Sequence, residues 1–179
     1  NILTVGAGNI GYLTSYQLMQ AGAHVKAIIE AQPREGGFPV QANRVRRLGI
    51  PVITGKTLIK VIPNEQRDGI TGAVIADAYN FEPVPGTEQV IDGIDAVNVC
   101  TGLVQDDLLF AKGKEVFGRN VHAAGDAQRI GEGTTAVLRG RQVALEVLEC
   151  LGERHDYNHY LALSKEYIDS QQHPVRILD

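Results

Sequence analysis

ILTVGAGNIG, the stretch Ile2–Gly11, joins a short apolar run to the pattern G-x-G-x-x-G. The run predicts a buried strand, and the apolar spacing over Tyr12–Gln20 predicts a helix that an Ala-Gly pair then stops. A second apolar run, Val25–Ile29, predicts another strand, which must be parallel to the first because a helix lies between them. These thirty residues therefore predict a βαβ unit with a glycine turn at its first strand-to-helix junction.

The residues of this turn have distinct expected roles. Gly6 makes the tight turn, Gly8 lets a pyrophosphate approach the backbone, and Gly11 lets helix and strand pack closely. Asn9 and Ile10 belong to the turn ahead of the helix, whose free N–H groups and positive dipole end are expected to hold the phosphates. The five residues predict one half of a dinucleotide site.

An acidic residue completes this fingerprint. Glu30 follows the second strand at the distance from the glycines that dinucleotide-binding folds require, and its carboxylate is expected to accept hydrogen bonds from the adenosine ribose. It would repel a 2′-phosphate, so NAD is favoured over NADP. The alternative depends on nearby arginines that can pair with such a phosphate, and these are Arg34, Arg44, Arg46 and Arg47.

The pattern after the first unit predicts an α/β fold with two kinds of sheet. Val40–Leu48 predicts a short basic helix, and Gly49–Ile53 predicts a third buried strand. Alternating runs separated by turns over residues 57–91 predict an antiparallel meander. Ala96–Cys100 then predicts a return to the parallel sheet, with a domain boundary after Gly102.

The C-terminal part has its own pattern. Val121–Ala124 predicts a strand that ends in a Gly-Asp turn, and a helix is expected from Thr134. A second, more polar helix is expected over Tyr157–Gln171. The first of these helices is predicted to bury one apolar face, formed by Val137, Ala144, Val147, Leu148 and Leu151.

The order of these motifs carries a resemblance to a known superfamily. The glycine turn, the acid, the meander, Val99-Cys100-Thr101-Gly102 and Ala124-Gly125-Asp126 together resemble the FAD-dependent pyridine nucleotide-disulphide oxidoreductases. The resemblance covers about residues 1–152. Four further stretches are similar to the branch that contains the sarcosine oxidase α subunit and hydrogen cyanide synthase type flavoproteins, namely Asn9–Tyr12, Tyr16–Leu18, Gln20–Ala23 and Gly49–Val52.

The resemblance implies two cofactors, FAD and NAD, and two domains. Residues 1–102 would form the NAD(P)-binding domain, and residues 103–179 would form the C-terminal return segment of an FAD-binding domain. Asp126 would bind the ribityl chain of FAD, and the helix from Thr134 would point at the flavin. The residues that would contact FAD or form the crossover to its domain are Thr101, Gly102, Gly125, Asp126, Thr134 and Thr135.

The resemblance also implies an activity, which is hydride transfer between NAD(H) and FAD in a larger enzyme. The alternative is a module of an amine-oxidising flavoprotein that binds NAD without hydride exchange. The family's first FAD-binding glycine motif is absent from these residues, so a further N-terminal FAD-binding segment or a partner subunit is expected. The redox C-x-x-C pair is absent too, which argues against reduction of thioredoxin or glutathione.

Composition excludes several other classes. The net charge of −4 argues against nucleic acid and membrane partners, and against a tRNA-modifying relative. No apolar run reaches the roughly 18 to 20 residues that cross a bilayer, so a cytoplasmic location is expected. Cys100 and Cys150 are expected to be small packed residues, the scattered histidines predict no metal site, and no catalytic residue is assigned. Oligomerisation is left open.

Overall fold

The structure, a computed structural model, describes residues 1–153 and 156–172. The chain divides into two compact units, and the division falls between Gly102 and Leu103. Each unit has its own secondary structure and is described by itself. No helix in the described ranges is long and apolar enough to cross a membrane.

Over residues 1–102, the first unit contains two helices and eight strands. A parallel sheet has the strand order β3-β2-β1-β8, and in a separate antiparallel sheet β5 pairs with β4, β6 and β7. The predicted α/β class, with a parallel sheet and an antiparallel meander, is confirmed. The elements are β1 (Ile2–Val5), α1 (Asn9–Gln20), β2 (Val25–Glu30), α2 (Pro39–Arg47), β3 (Val52–Thr54), β4 (Lys56–Pro63), β5 (Ile70–Tyr79), β6 (Glu82–Pro83), β7 (Gln89–Asp92) and β8 (Ala96–Val99).

Two apolar clusters hold these layers together, one on each face of the parallel sheet. Because side chains alternate along a strand, Leu3 and Val5 of β1 face the antiparallel sheet, where they pack in a cluster with Ile75. On the opposite face, Tyr12 of α1 and Val45 of α2 lie in a second buried cluster. Full burial of each large aliphatic side chain contributes about 1.5–3 kcal/mol, so this sandwich fixes the glycine turn at the carboxyl end of β1.

The main differences from prediction in this unit lie at element ends. Helix α1 begins at Asn9 rather than Tyr12, since the Tyr12 N–H already donates to the Gly8 carbonyl at 3.1 Å. Strand β3 begins at Val52, three residues after the predicted start, because Gly49 is in a left-handed conformation at φ 78°. The two-residue strand β6 was not predicted.

The second unit is helical in the part of the chain that the structure describes. It contains α3 (Leu108–Phe117), α4 (Gly133–Cys150) and α5 (Tyr157–Gln172), with 3-10 turns at Gly118–Asn120 and Gly125–Ala127. Helix α3 was not predicted. The sequence expectation of a second C-terminal helix agrees with α5.

The predicted strand Val121–Ala124 is wrong as a sheet element. Val121 (φ −113°, ψ 127°) and Ala124 (φ −138°, ψ 160°) do have extended backbone conformations. Neither pairs with another strand in the described ranges, where residues 121–124 form no ladder. A strand forms only by hydrogen bonding to a second strand, and the local sequence does not show whether such a strand is present.

The predicted core face of α4 is also wrong for the described residues. Val137 and Leu151 are 57% and 71% exposed, and the other residues of that apolar face are exposed as well. The buried positions are instead Thr135, Leu138 and Gln142. Periodicity identifies an apolar stripe but does not show what covers it.

Candidate functional site

Two glycines of the turn are required by close backbone contacts. Gly6 has φ 108°, and a Cβ there would lie 2.2 Å from the Cys100 carbonyl oxygen. A Cβ on Gly11 would lie 1.9 Å from the Gly6 carbonyl oxygen. No side chain fits at either distance, so these glycines let β1, α1 and the end of β8 approach one another.

Gly8, in contrast, borders open space. Its φ of −93° suits any residue, and a Cβ there would meet nothing within 4 Å. The first hydrogen bond within α1 runs to the Gly8 carbonyl. The N–H groups of Asn9, Ile10 and Gly11 therefore have no acceptor within the helix. An open space beside a helix N-terminus with such donors fits the pyrophosphate of a dinucleotide.

Glu30 lies at the end of β2, directly beside this turn. Its Oε2 accepts a hydrogen bond from the Ala7 N–H at 2.8 Å, and its Oε1 accepts one from the Gln32 N–H at 2.9 Å. A carboxylate has about four acceptor positions, so both oxygens keep capacity for further donors. The carboxylate thus joins the glycine turn to the strand end and can still accept the hydroxyls of a ribose.

A second glycine-rich loop, residues 33–38, lies over the same turn. The Gly36 N–H donates to the Ala7 carbonyl at 3.0 Å, and the Phe38 N–H donates to Asn9 Oδ1 at 2.7 Å. Gly37 has φ 75°, and a Cβ there would lie 2.8 Å from the Asn9 nitrogen. Sequence reasoning missed this contact, although the Gly-Gly pair in the loop was its available signal.

A buried hydroxyl ties this loop to both helices. Tyr12, which is 1% exposed, donates its phenol hydrogen to Glu35 Oε2 at 2.6 Å, and Arg46 donates to Glu35 Oε1 at 2.5 Å. The pKa of Tyr12 is raised, first by burial and then by the Glu35 carboxylate. Burial alone would raise the pKa of Glu35, but the hydrogen bonds from Tyr12 and Arg46 outweigh it and hold that pKa below its usual value.

Two of the four arginines that could pair with a 2′-phosphate are engaged elsewhere. Arg46 is bound to Glu35, and Arg44 lies over the Tyr16 ring at 5.0 Å from its centroid. Arg34 and Arg47 form no ion pair in the described part of the chain. Fewer arginines are therefore available to pair with the 2′-phosphate of NADP than the sequence indicated.

A polar seam lies behind the turn, between β1, α1 and β8. The fully buried hydroxyls of Thr4 and Ser15 are 2.8 Å apart, and Asn98 donates to Thr14 Oγ1 at 2.9 Å. Cys100 Sγ lies 3.5 Å from Thr14 Oγ1 and is half-buried, not packed in an apolar core as predicted. Thr101 and Gly102 follow it and are exposed.

The candidate FAD residues of the second unit lie close together. Gly125 has φ 60°, and a Cβ there would lie 3.9 Å from the Ala136 Cβ, so its turn sits beside the start of α4. Asp126 is exposed in this turn. In the first turn of α4, Thr134 is exposed and Thr135 is buried.

The remaining titratable residues include one unexpected group in the second unit. No three metal-ligating side chains come together in residues 1–153 and 156–172. Of the scattered histidines, His155 lies outside the described residues, and His159 is exposed in α5. Cys150, expected to be packed, is exposed, and its sulfur lies 3.7 Å from His122 Nε2.

Comparisons with known proteins show the fold. No family model matches the chain, and no curated protein does. Thioredoxin reductase from T. acidophilum is similar over 83% of this chain and 51% of its own, with 21% identity and a TM-score of 0.60. Thioredoxin reductase from Lactococcus lactis is similar over 83% and 52%, with 15% identity and a TM-score of 0.63. The chain thus spans about half the length of these structures and shares their Rossmann-like fold.

Proposed function

We propose that this chain is the nicotinamide-nucleotide-binding module of a flavin-dependent oxidoreductase. The observation that carries the proposal is the Glu30 carboxylate bonded to the Ala7 N–H beside the open space at Gly8. The turn donates to a pyrophosphate, and Glu30 accepts from a ribose. When bound, NAD(H) and FAD supply the hydride chemistry, and the protein positions them.

NAD is the proposed nucleotide, rather than NADP. The Glu30 oxygens, each of which already accepts one backbone N–H, would also accept from a 2′-hydroxyl, and their charge would oppose a 2′-phosphate. Arg46 and Arg44 are held by Glu35 and Tyr16, which leaves Arg34 and Arg47 as the cations for that phosphate. A half-buried carboxylate repels a phosphate more strongly than a carboxylate in open water does, because the effective dielectric constant is lower there.

The second unit is proposed to supply part of an FAD site. Asp126 offers an exposed carboxylate beside the first turn of α4, where Thr134 and Thr135 lie. A helix N-terminus favours negative charge, so it would stabilise an anionic flavin edge. The extended backbone at Val121 and Ala124, which pairs with no strand in the described ranges, supports the same assignment.

A further polypeptide segment is proposed to complete that site. The apolar face of α4 that includes Val137, Leu148 and Leu151 is exposed, and α3 buries none of its residues. Contiguous exposed apolar surface marks an interface. An FAD-binding segment, in the same protein or in a partner subunit, would cover this face and pair with residues 121–124.

We also propose that the chain is related to one branch of the superfamily. The stretches Asn9–Tyr12 and Gly49–Val52 support a relation to the sarcosine oxidase α subunit and hydrogen cyanide synthase type flavoproteins. The chain has two cysteines, and they are 50 positions apart, so neither forms a C-x-x-C redox pair. We therefore propose that this segment does not reduce a protein disulphide and that the electrons pass to another acceptor.

Rapid mixing of the flavin-loaded protein with NADH tests this function. Prompt loss of the oxidised flavin absorbance, faster with NADH than with equal NADPH, is the expected result. Binding of NADH with no change in the flavin spectrum would contradict hydride exchange and favour the binding-only alternative.

A further inference from the structure

A cysteine, a histidine and a glutamate form a relay in the second unit. Cys150 Sγ lies 3.7 Å from His122 Nε2, and His122 Nδ1 lies 3.3 Å from Glu146 Oε2. Cys150 is exposed at the last residue of α4, whereas the His122 side chain is only 15% exposed. A nucleophile, a base and a group that orients the base are thereby brought together.

The far end of the relay is fixed by an arginine. Arg139 donates to Glu146 Oε1 at 2.6 Å and to Gln142 Oε1 at 2.8 Å, and it also donates to Gln128. The charge of Glu146 is therefore compensated, and its carboxylate is held one turn before Cys150 on the same helix. Glu146 thereby orients the imidazole ring of His122 through Nδ1.

The hydrogen-bond roles follow from the chemistry of each group. An ionised carboxylate only accepts, so the proton of the neutral ring lies on Nδ1 when that nitrogen is bound to Glu146. Nε2 then carries the lone pair and faces the sulfur. In this structure the thiol donates to the Arg119 carbonyl oxygen at 3.6 Å, and Nε2 is a second acceptor at nearly the same distance.

We propose that Cys150 is a thiol-disulphide exchange site for small disulphides, with His122 as the base that takes the thiol proton. The proposal does not depend on nucleotide binding. The sulfur forms a bond to one sulfur of the disulphide, whose S–S bond breaks as the other sulfur leaves with the electron pair. The leaving thiolate takes the proton from Nε2, so a mixed disulphide and one free thiol are the products.

The other cysteine provides an internal comparison. Cys100 Sγ donates to Asn98 Oδ1 at 3.4 Å and is half-buried. In the part of the chain that the structure describes, no imidazole lies beside it. Because a free cysteine is only a few per cent thiolate near neutral pH, a base at Cys150 is expected to raise exchange there by roughly tenfold or more.

Oxidised glutathione is the probe, and the rate of mixed-disulphide formation is followed by mass spectrometry of the protein carrying Cys100→Ser. His122→Ala should slow the reaction by about tenfold or more, and added imidazole should restore much of the rate. The control is His159→Ala, which removes an exposed histidine of α5 and should change nothing. Circular dichroism verifies the fold of each variant.

A second pair of variants tests the positioning role of Glu146. Glu146→Gln keeps an oxygen that can accept from Nδ1 and should keep most of the rate, whereas Glu146→Leu should lose it. Reaction of His122→Ala at the rate of its parent, or a lost rate that imidazole does not restore, would overturn the proposal. Preferred modification of Cys100 in the wild-type protein would overturn it as well.

Discussion

We propose that Glu30 sets the nucleotide preference. Its two oxygens each accept one backbone N–H, from Ala7 and Gln32, and this fixes the carboxylate beside the glycine turn. The wild-type protein is expected to bind NADH more tightly than NADPH. Glu30→Gln should narrow that ratio by about tenfold, or about 1.4 kcal/mol, because the charge that opposes the 2′-phosphate is lost.

Titration of both nucleotides against the wild type, Glu30→Gln and the exposed control Glu65→Gln measures this preference. A wild type that prefers NADPH would show that Arg34 or Arg47 binds the 2′-phosphate and that Glu30 is wrongly assigned.

Glu35 gives a pH-dependent contribution to stability. Its pKa in the folded state is lowered, so its stabilisation is fully present above the pKa of an unfolded glutamate, about 4.3, and is lost as the pH falls through the folded value. Glu35→Gln should therefore cost about 1 kcal/mol near neutral pH. The difference from the wild type should shrink below pH 4.3.

Denaturant unfolding across a pH series, with Glu65→Gln as an exposed control, measures this difference. An equal gap at neutral and acidic pH would contradict a charge-dependent role for Glu35.

At the scale of elements, the junction of β1 and α1 depends on the absence of a side chain at Gly11. A Cβ there would lie 1.9 Å from a backbone oxygen, so the helix must shift away from the strand. Gly11→Ala should destabilise the protein by about 3 kcal/mol. Gly8→Ala, the same change three residues earlier, meets open space and should leave the stability nearly unchanged.

Thermal unfolding of the two alanine variants beside the wild type tests the junction. If Gly11→Ala is as stable as Gly8→Ala, the close approach of β1 and α1 is not needed for the fold.

The first unit was more predictable from sequence than the second, and the reason lies in the local patterns. The run before Gly6 and the run Val25–Ile29 pack into apolar clusters on both faces of the parallel sheet, so apolar composition was a sufficient signal. Residues 121–124 and the apolar stripe of α4 depend on partners that local sequence does not specify. The strand predicted at residues 121–124 and the buried face predicted for α4 were therefore wrong for the described residues.

Among the candidate site residues, too, only those that a local sequence pattern encodes could be predicted. The G-x-G-x-x-G spacing identified the turn because backbone geometry dictates glycine at Gly6 and Gly11. The Tyr12–Glu35 hydrogen bond and the His122–Cys150 contact join residues 23 and 28 positions apart. No motif encodes such contacts, so only the folded arrangement shows them.

At the scale of the whole molecule, the second unit is expected to contribute to FAD retention through Asp126. A charged hydrogen bond to a ribityl hydroxyl is worth about 1.5–3 kcal/mol, or roughly one to two decades in affinity. Asp126→Ala in the flavin-loaded protein should weaken FAD binding by that factor. Asp169→Ala, which removes an exposed carboxylate of α5, is the matched control.

Equilibrium dialysis of FAD against these two variants measures the change. Equal FAD affinity in Asp126→Ala and Asp169→Ala would show that the Gly125-Asp126 turn is structural.

Calorimetric titration with NADH measures whether a nicotinamide nucleotide binds at the Gly6–Gly11 turn, as we propose. Gly8→Ala places a methyl group in the open space where the pyrophosphate would approach, without a clash in the protein itself. The wild type should bind one NADH per chain, Gly140→Ala in α4 should bind it equally well, and Gly8→Ala should bind at least about tenfold more weakly. Equal affinity of a folded Gly8→Ala and the wild type would contradict nucleotide binding at this turn.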